Sequence, residues 1–235
     1  MEELILSEVS HFKDFMEVNQ MEHLNLHNKL NLPILNALWN ITIGERFEYD
    51  NPRLLDLTSR LSKAIKLFSD PSQFLLTAYP WISKLCPSLL GLDYVKSTIA
   101  DIIDLVCEKI HIHEETLDVH SPRDFIDMML IEIRNTKDTS SSFYDQLGMD
   151  NLKGTLFDLF LAGSETTSTT LTWAFLYMVR HPEVQQKVQV ELDNVVGVNR
   201  SPRMSDKPNL PYTEAVLMEI QRCANIFPLG AKHIM

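Results

Sequence analysis

Residues 159–172, LFLAGSETTSTTLT, place seven hydroxyl side chains in the nine positions 164–172, directly after Gly163 and within an apolar run. Phe157, Phe160 and Leu161 precede them and an apolar stretch over 173–179 follows, so the pattern predicts one long central buried helix over about 151–180. Serine, threonine and glycine each cost an interior helix roughly 0.5 to 1 kcal/mol against alanine. A buried helix that carries so many of them keeps them for something other than its own stability. It also needs a shell of other elements to bury it, and the rest of the chain supplies helices.

Leu4, Ile5, Val9, Phe12, Phe15 and Met16 recur at helical spacing and predict an amphipathic helix facing a core. A second apolar stretch, 32–43, begins beside Pro33 and stops at Gly44. GERFEYDNP is a polar link ending in turn chemistry at 50–52. Leu54, Leu57, Leu61, Ile65 and Phe68 then mark another helix, and Val95, Ile99, Ile102, Ile103, Val106 and Ile110 a further one. Between these two, residues 73–92 hold a single charge, Lys84, and are broken by prolines and a glycine. They are either an ordinary packed connection or an exposed apolar loop at a membrane surface or ligand entrance. Ser121 followed by Pro122 announces the next helix, with Asp124 at the positive end of its dipole and Phe125, Met128, Met129 and Ile133 on its apolar face. Residues 135–148 read as loop. After the central helix, Pro182 and Pro211 each open a helix, the first stopping at Gly197 and the second near Ala224. Only 229–235 hints at a strand, so the fold class is mainly α.

The net charge of −11 argues against nucleic acid as a partner, because phosphate binding needs clustered lysine and arginine. Cys86, Cys107 and Cys223 form neither a CxxC pair nor a disulfide framework, which points to a reducing compartment. The start, MEELILSEVSHF, lacks the basic and apolar regions of a signal peptide.

Three constellations carry chemistry. In the first, Ala162 and Gly163 remove side-chain bulk just before Glu165 and Thr166. A flat ligand or a water can then approach the backbone, with an acid and a hydroxyl beside it to relay protons. The same small residues equally suit a close helix–helix crossing. In the second, Glu219 and Arg222 stand at i,i+3 on one helical face, a pairing worth little when exposed. In the third, His111, His113 and His120 lie near Glu114 and Glu115. The i,i+2 spacing does not bring two imidazoles onto one face, so solvated histidines near a helix end are expected there rather than a metal site.

AGSETT over 162–167 followed by EIQR over 219–222, joined by PEVQQKVQVELDNVVG and LPYTEAVLMEIQR, resembles the cytochrome P450 superfamily of haem-thiolate monooxygenases, in particular its microsomal family 2. GERFEYD over 44–50, SPRDFIDMML over 121–130 and FPLGAKH over 227–233 extend the likeness from about residue 25 onward. The resemblance implies a partial cytochrome P450 domain over 1–235, organised on the long central helix, with haem b as cofactor. It implies a monooxygenase that inserts one oxygen atom from O2 into an apolar organic substrate, using electrons from an NADPH-dependent reductase. The full-length protein would lie at the cytoplasmic face of the endoplasmic reticulum membrane with peripheral membrane contact.

Residue by residue, the likeness implies that Ala162 and Gly163 face the haem and bound oxygen, that Thr166 holds the proton-delivering water, and that Glu165 feeds that relay from solvent. Glu219 and Arg222 would form a buried structural ion pair, His233 would reach a haem propionate, and Leu229 would border the substrate pocket. The departures point the other way. The family's cysteine loop, FxxGxxxCxG, is not present, and none of the three cysteines has its context, so no metal ligand is assigned. No hydrophobic anchor is present, and no WxxxR either: Trp39, Trp81 and Trp173 are followed four places on by Ile43, Leu85 and Tyr177. The alternative is therefore a non-catalytic helical fragment, unable to bind haem through a thiolate, whose uncovered apolar faces make it aggregate or bind hydrophobic dyes.

Overall fold

The computed structural model describes residues 1–18, 29–68, 81 and 91–226. Among them every regular element is helical and none is a strand, as the mainly α expectation requires. The elements are α1 (Glu2–Val18), α2 (Asn31–Thr42), α3 (Pro52–Phe68), α4 (Leu92–Thr116), α5 (Phe125–Asn135), α6 (Asp145–Arg180), α7 (Pro182–Val195), a 3-10 turn (Met204–Asn209) and α8 (Pro211–Ala224). Apart from Trp81, Gly91 and Leu92, the apolar segment 73–92 lies outside the described residues, as does 229–235. No helix among the described residues is long and apolar enough to cross a membrane.

The chain divides into two compact units, Leu35–Ser164 and a second made of Met1–Ile34 with Glu165–Met235. In the continuous unit, helical periodicity delivers a dense interior: Leu35, Trp39, Leu54, Leu57, Leu61, Ile102, Leu105, Val106, Ile110, Ile126, Leu130, Leu152, Leu156 and Phe160 are all buried. Asn36 pins the link between α2 and α3, its Nδ2 donating to Phe47 O at 2.7 Å and its Oδ1 accepting from Phe47 N–H at 3.0 Å. Asn51 caps α3 by accepting from the N–H groups of Arg53 and Leu54.

Three expectations shift. The helix after residue 121 begins at Phe125, capped by Asp124, whose Oδ1 accepts from Asp127 N–H at 3.0 Å; Ser121 is not the cap. Its buried face is accordingly Ile126, Asp127, Leu130 and Ile133, while Met128 is exposed. α6 starts at Asp145, ahead of the expected 151, and Gly148 is needed in its first turn because a Cβ there would stand 2.6 Å from Phe143 O. Its burial stops partway along: Leu152, Leu156, Phe160, Ser164 and Ser168 are buried, whereas Leu171, Trp173, Phe175, Leu176 and Val179 are exposed. The apolar stretch 173–179 is therefore not interior, despite its composition.

The discontinuous unit is more open. α7 buries none of its residues, and α1 buries only Glu8, with Ile5 and Val9 exposed where a core face was expected. α8 is held at its start by Glu191 of α7, which accepts from the N–H groups of Tyr212 and Thr213 at 2.9 and 2.7 Å and from the Thr213 hydroxyl at 2.7 Å. This carboxylate serves as the cap that Leu210, the residue preceding the helix, cannot supply.

Candidate functional site

Four of the hydroxyls of the 164–172 stretch are accommodated by the helix itself. Ser164 Oγ donates to Phe160 O at 3.1 Å, Ser168 Oγ to Glu165 O at 3.1 Å, Thr170 Oγ1 to Thr166 O at 2.9 Å and Thr172 Oγ1 to Ser168 O at 2.8 Å. These bonds to the preceding turn let a polar stripe lie in a half-buried helix without stranded donors. The helix runs through the motif without a break, so the carbonyls of Phe160, Glu165, Thr166 and Ser168 receive hydroxyls in addition to their helical role.

The motif residues sort by direction. A Cβ built on Gly163 would stand 2.9 Å from Leu38 Cδ2, so glycine here admits α2 closely, as the crossing reading of the small residues requires. One turn earlier Phe160 meets Trp39 edge to face at 5.6 Å, and Trp39 meets Phe47 at 5.1 Å. Ala162 and Thr166, four residues apart and therefore on one face, are both exposed. Glu165 is half-buried, and its Oε2 accepts from Asn31 Nδ2 at 3.2 Å. The arrangement thus presents a small residue and a hydroxyl outward, flanked by a carboxylate held from the side.

Glu219 and Arg222 do meet. Arg222 Nε and Nη2 donate to the two carboxylate oxygens, each at 2.7 Å, and this fork holds the Glu219 carboxyl down at about 2. The burial expected of the pair is not found: the side chains are 59% and 71% exposed, because both project from the wet face of α8. Cys223 lies on the same exposed turn and Cys107 is half-buried; Cys86 is outside the described residues, as are Leu229 and His233.

The histidines need a correction. His111 is exposed and pairs with Glu115 at 3.3 Å, and His120 is exposed, but His113 is buried. Its Nδ1 lies 2.7 Å from Lys109 O and its Nε2 2.7 Å from Asp124 Oδ2. A carbonyl only accepts, so Nδ1 donates to it. Asp127, also buried, takes a fork from Arg123 at 2.6 and 2.9 Å, and Arg123 holds its carboxyl below the usual carboxylate range. Lys109 completes the knot by pairing with Glu45. His113, Asp124 and Asp127 lie close enough together to surround a cation. Their donor atoms are nevertheless committed: Asp124 to Asp127 N–H and His113, and Asp127 to Arg123. The cluster ties α4 to the cap of α5. Spacing within one helix could not reveal it, since the partner of His113 comes from the next element.

Sequence reasoning also passed over Asn31, Leu38 and Trp39 as parts of the site. The only signal for Asn31 was a polar residue set between two leucines at the start of an apolar helix.

A family model described as Cytochrome P450 matches residues 1–235. Among curated proteins the chain is similar to cytochrome P450 2C8 of Homo sapiens, 37% identical over 198 residues, covering 84% of this chain and 39% of that protein. It is similar also to cytochrome P450 2J5 of Mus musculus and cytochrome P450 2J2 of Homo sapiens, each 36% identical over 236 residues, covering 98% of this chain and 45% of the relative. The chain spans less than half the length of these relatives.

Proposed function

The chain belongs to the cytochrome P450 family, and from that premise we propose that its central helix is the oxygen-activating wall of a haem-dependent monooxygenase. The observation that carries this reading is the joint outward placement of Ala162 and Thr166, with Glu165 tethered beside them. Haem b, when bound, supplies the one-electron and O2 chemistry that no side chain of this chain can supply. The residues present fit such a group on one side: Ala162 leaves room for a flat ring, and the Thr166 hydroxyl both accepts and donates a hydrogen bond. Thr166 holds a water at the oxygen side, and Glu165 takes protons from solvent and passes them to that water. Gly163 keeps the helix seated against Leu38, which fixes the height of the wall.

The reaction is insertion of one oxygen atom from O2 into an apolar organic substrate, with electrons from an NADPH-dependent reductase, at the cytoplasmic face of the endoplasmic reticulum membrane. By the likeness, Leu229 would border the substrate pocket, His233 would reach a haem propionate, and Glu219 with Arg222 would be a structural pair in the longer protein. Replacing Thr166 with Ala in the haem-loaded enzyme is expected to raise peroxide released per NADPH consumed at the expense of product. An unchanged ratio removes Thr166 from the mechanism.

A second reading has its own support. The exposed apolar residues Leu171, Trp173, Phe175, Leu176 and Val179, together with the uncovered Glu219–Arg222 fork, favour a 235-residue chain that does not by itself hold haem through a thiolate. The carbon-monoxide difference spectrum of the reduced, purified chain decides this: a Soret band at the thiolate position overturns the second reading, and its absence sustains it.

A further inference from the structure

We propose that Asn31 is the positioning residue for Glu165, a fixed neutral donor that aims the carboxylate of the acid–alcohol pair. The proposal rests on the proton-relay reading of Glu165 and Thr166. Asn31 is the first residue of α2 and is only 5% exposed. Leu30 and Leu32, each 3% exposed, anchor the backbone on either side of it, and Pro33 fixes the first turn of the helix. The amide has two side-chain torsions and a buried base, so it cannot follow Glu165 if that longer side chain swings. Its Nδ2 donates to Glu165 Oε2 at 3.2 Å. The backbone of Glu165 is fixed too, because its carbonyl receives Ser168 Oγ at 3.1 Å and the next carbonyl receives Thr170 Oγ1 at 2.9 Å.

The chemistry of the donor matters. A free glutamate has three torsions and, half-buried on a helix, samples several rotamers, so a relay through it succeeds only in the fraction of time it points correctly. An arginine or lysine in place of Asn31 would orient the group but also add a full charge that favours the ionised acid at all times. An amide orients the carboxylate through one oxygen and adds no net charge. Asn31 does not itself touch oxygen or substrate in this scheme; it acts through Glu165.

The test uses Asn31→Leu, which removes the donor while keeping the same branched heavy-atom skeleton, and Asn31→Asp, which keeps the shape but turns an acceptor toward Oε2. In the haem-loaded enzyme the ratio of peroxide to product is expected to rise about threefold in Asn31→Leu and about tenfold in Asn31→Asp, the scale of one ordinary hydrogen bond. The substrate KM should be unchanged. A purely structural Asn31 would lower the yield of folded enzyme and leave that ratio untouched. A second readout needs no turnover: urea unfolding of the chain as Asn31→Leu, Glu165→Gln and the double variant. Non-additive losses, with the double variant no worse than the poorer single one, support the contact, and additive losses overturn it. If Thr166→Ala uncouples the enzyme and the Asn31 variants do not, the positioning role is wrong. If neither uncouples it, the relay reading itself is wrong.

Discussion

Two side-chain contacts of the same length sit in opposite surroundings. His113 Nε2 and Asp124 Oδ2 are 2.7 Å apart with side chains 4% and 2% exposed; Arg222 Nη2 and Glu219 Oε1 are also 2.7 Å apart with side chains 71% and 59% exposed. Distance alone would rank them equal. Water decides otherwise. Removing one partner of the buried pair leaves a polar or charged group with nothing to replace the lost contact, whereas either partner of the exposed pair falls back on solvent. The lesson concerns reading motifs: ExxR is the conspicuous pair in the sequence, yet the inconspicuous His113 and Asp124 hold more of this structure together.

The sharpest way to break this comparison is Asp124→Ala. The substitution strips His113 of its partner and α5 of its cap, and is expected to cost about 3–5 kcal/mol in urea unfolding. A loss below about 1 kcal/mol would mean that water reaches the ring, and the contrast would vanish. A smaller effect separates the corner by pH. Because Arg123 holds the Asp127 carboxyl below its ordinary value in the folded chain, the stability it contributes is complete above the unfolded carboxylate range, near pH 4, and is lost as pH falls below it. Asp127→Asn should flatten that acid limb of the urea midpoint between roughly pH 2 and 5; an unchanged limb would assign it to other acids. The smallest effect belongs to Glu219→Gln. Its carboxyl also lies low, at about 2, so its contribution follows the same sign and fades as pH falls toward that value. Solvent screens the pair, and the urea midpoint of the chain should not move at neutral pH. A clear shift would show that something covers this face in solution.

Much of this architecture is legible in the sequence because helical period and capping are local properties. Leu54, Leu57 and Leu61, and Val95, Ile102, Val106 and Ile110, are buried as their spacing implies. Local signals failed where two candidates competed: Ser121 with Pro122 resembled a cap, but Asp124 takes that role, and the shift rotated the expected face of α5 from Met128 to Ile126 and Leu130. The start of α6 lies ahead of its expected place because 135–148 reads as loop, whereas Gly148 stands in the first turn of the helix, where a Cβ would meet Phe143 O. Contacts between distant segments were not legible at all. His113 finds Asp124 on another element, Gly163 makes way for Leu38, and Glu165 finds Asn31 across 134 positions. The site's residues could be named from the motif, but which of them turn outward depends on what α2 occupies.

The division of the chain into a continuous and a discontinuous unit bears on the order in which it is made. Residues 35–164 have all their mutual contacts once residue 164 has been synthesised, so that unit can fold while the rest is still emerging. α1 cannot settle then. Glu2 accepts from Met204 N–H at 2.7 Å and Glu3 pairs with Arg203 at 3.2 Å, so the first helix waits about ten to forty seconds at ordinary translation rates for its partners. Through that interval α1 lacks the contacts that residues 203 and 204 bring to it.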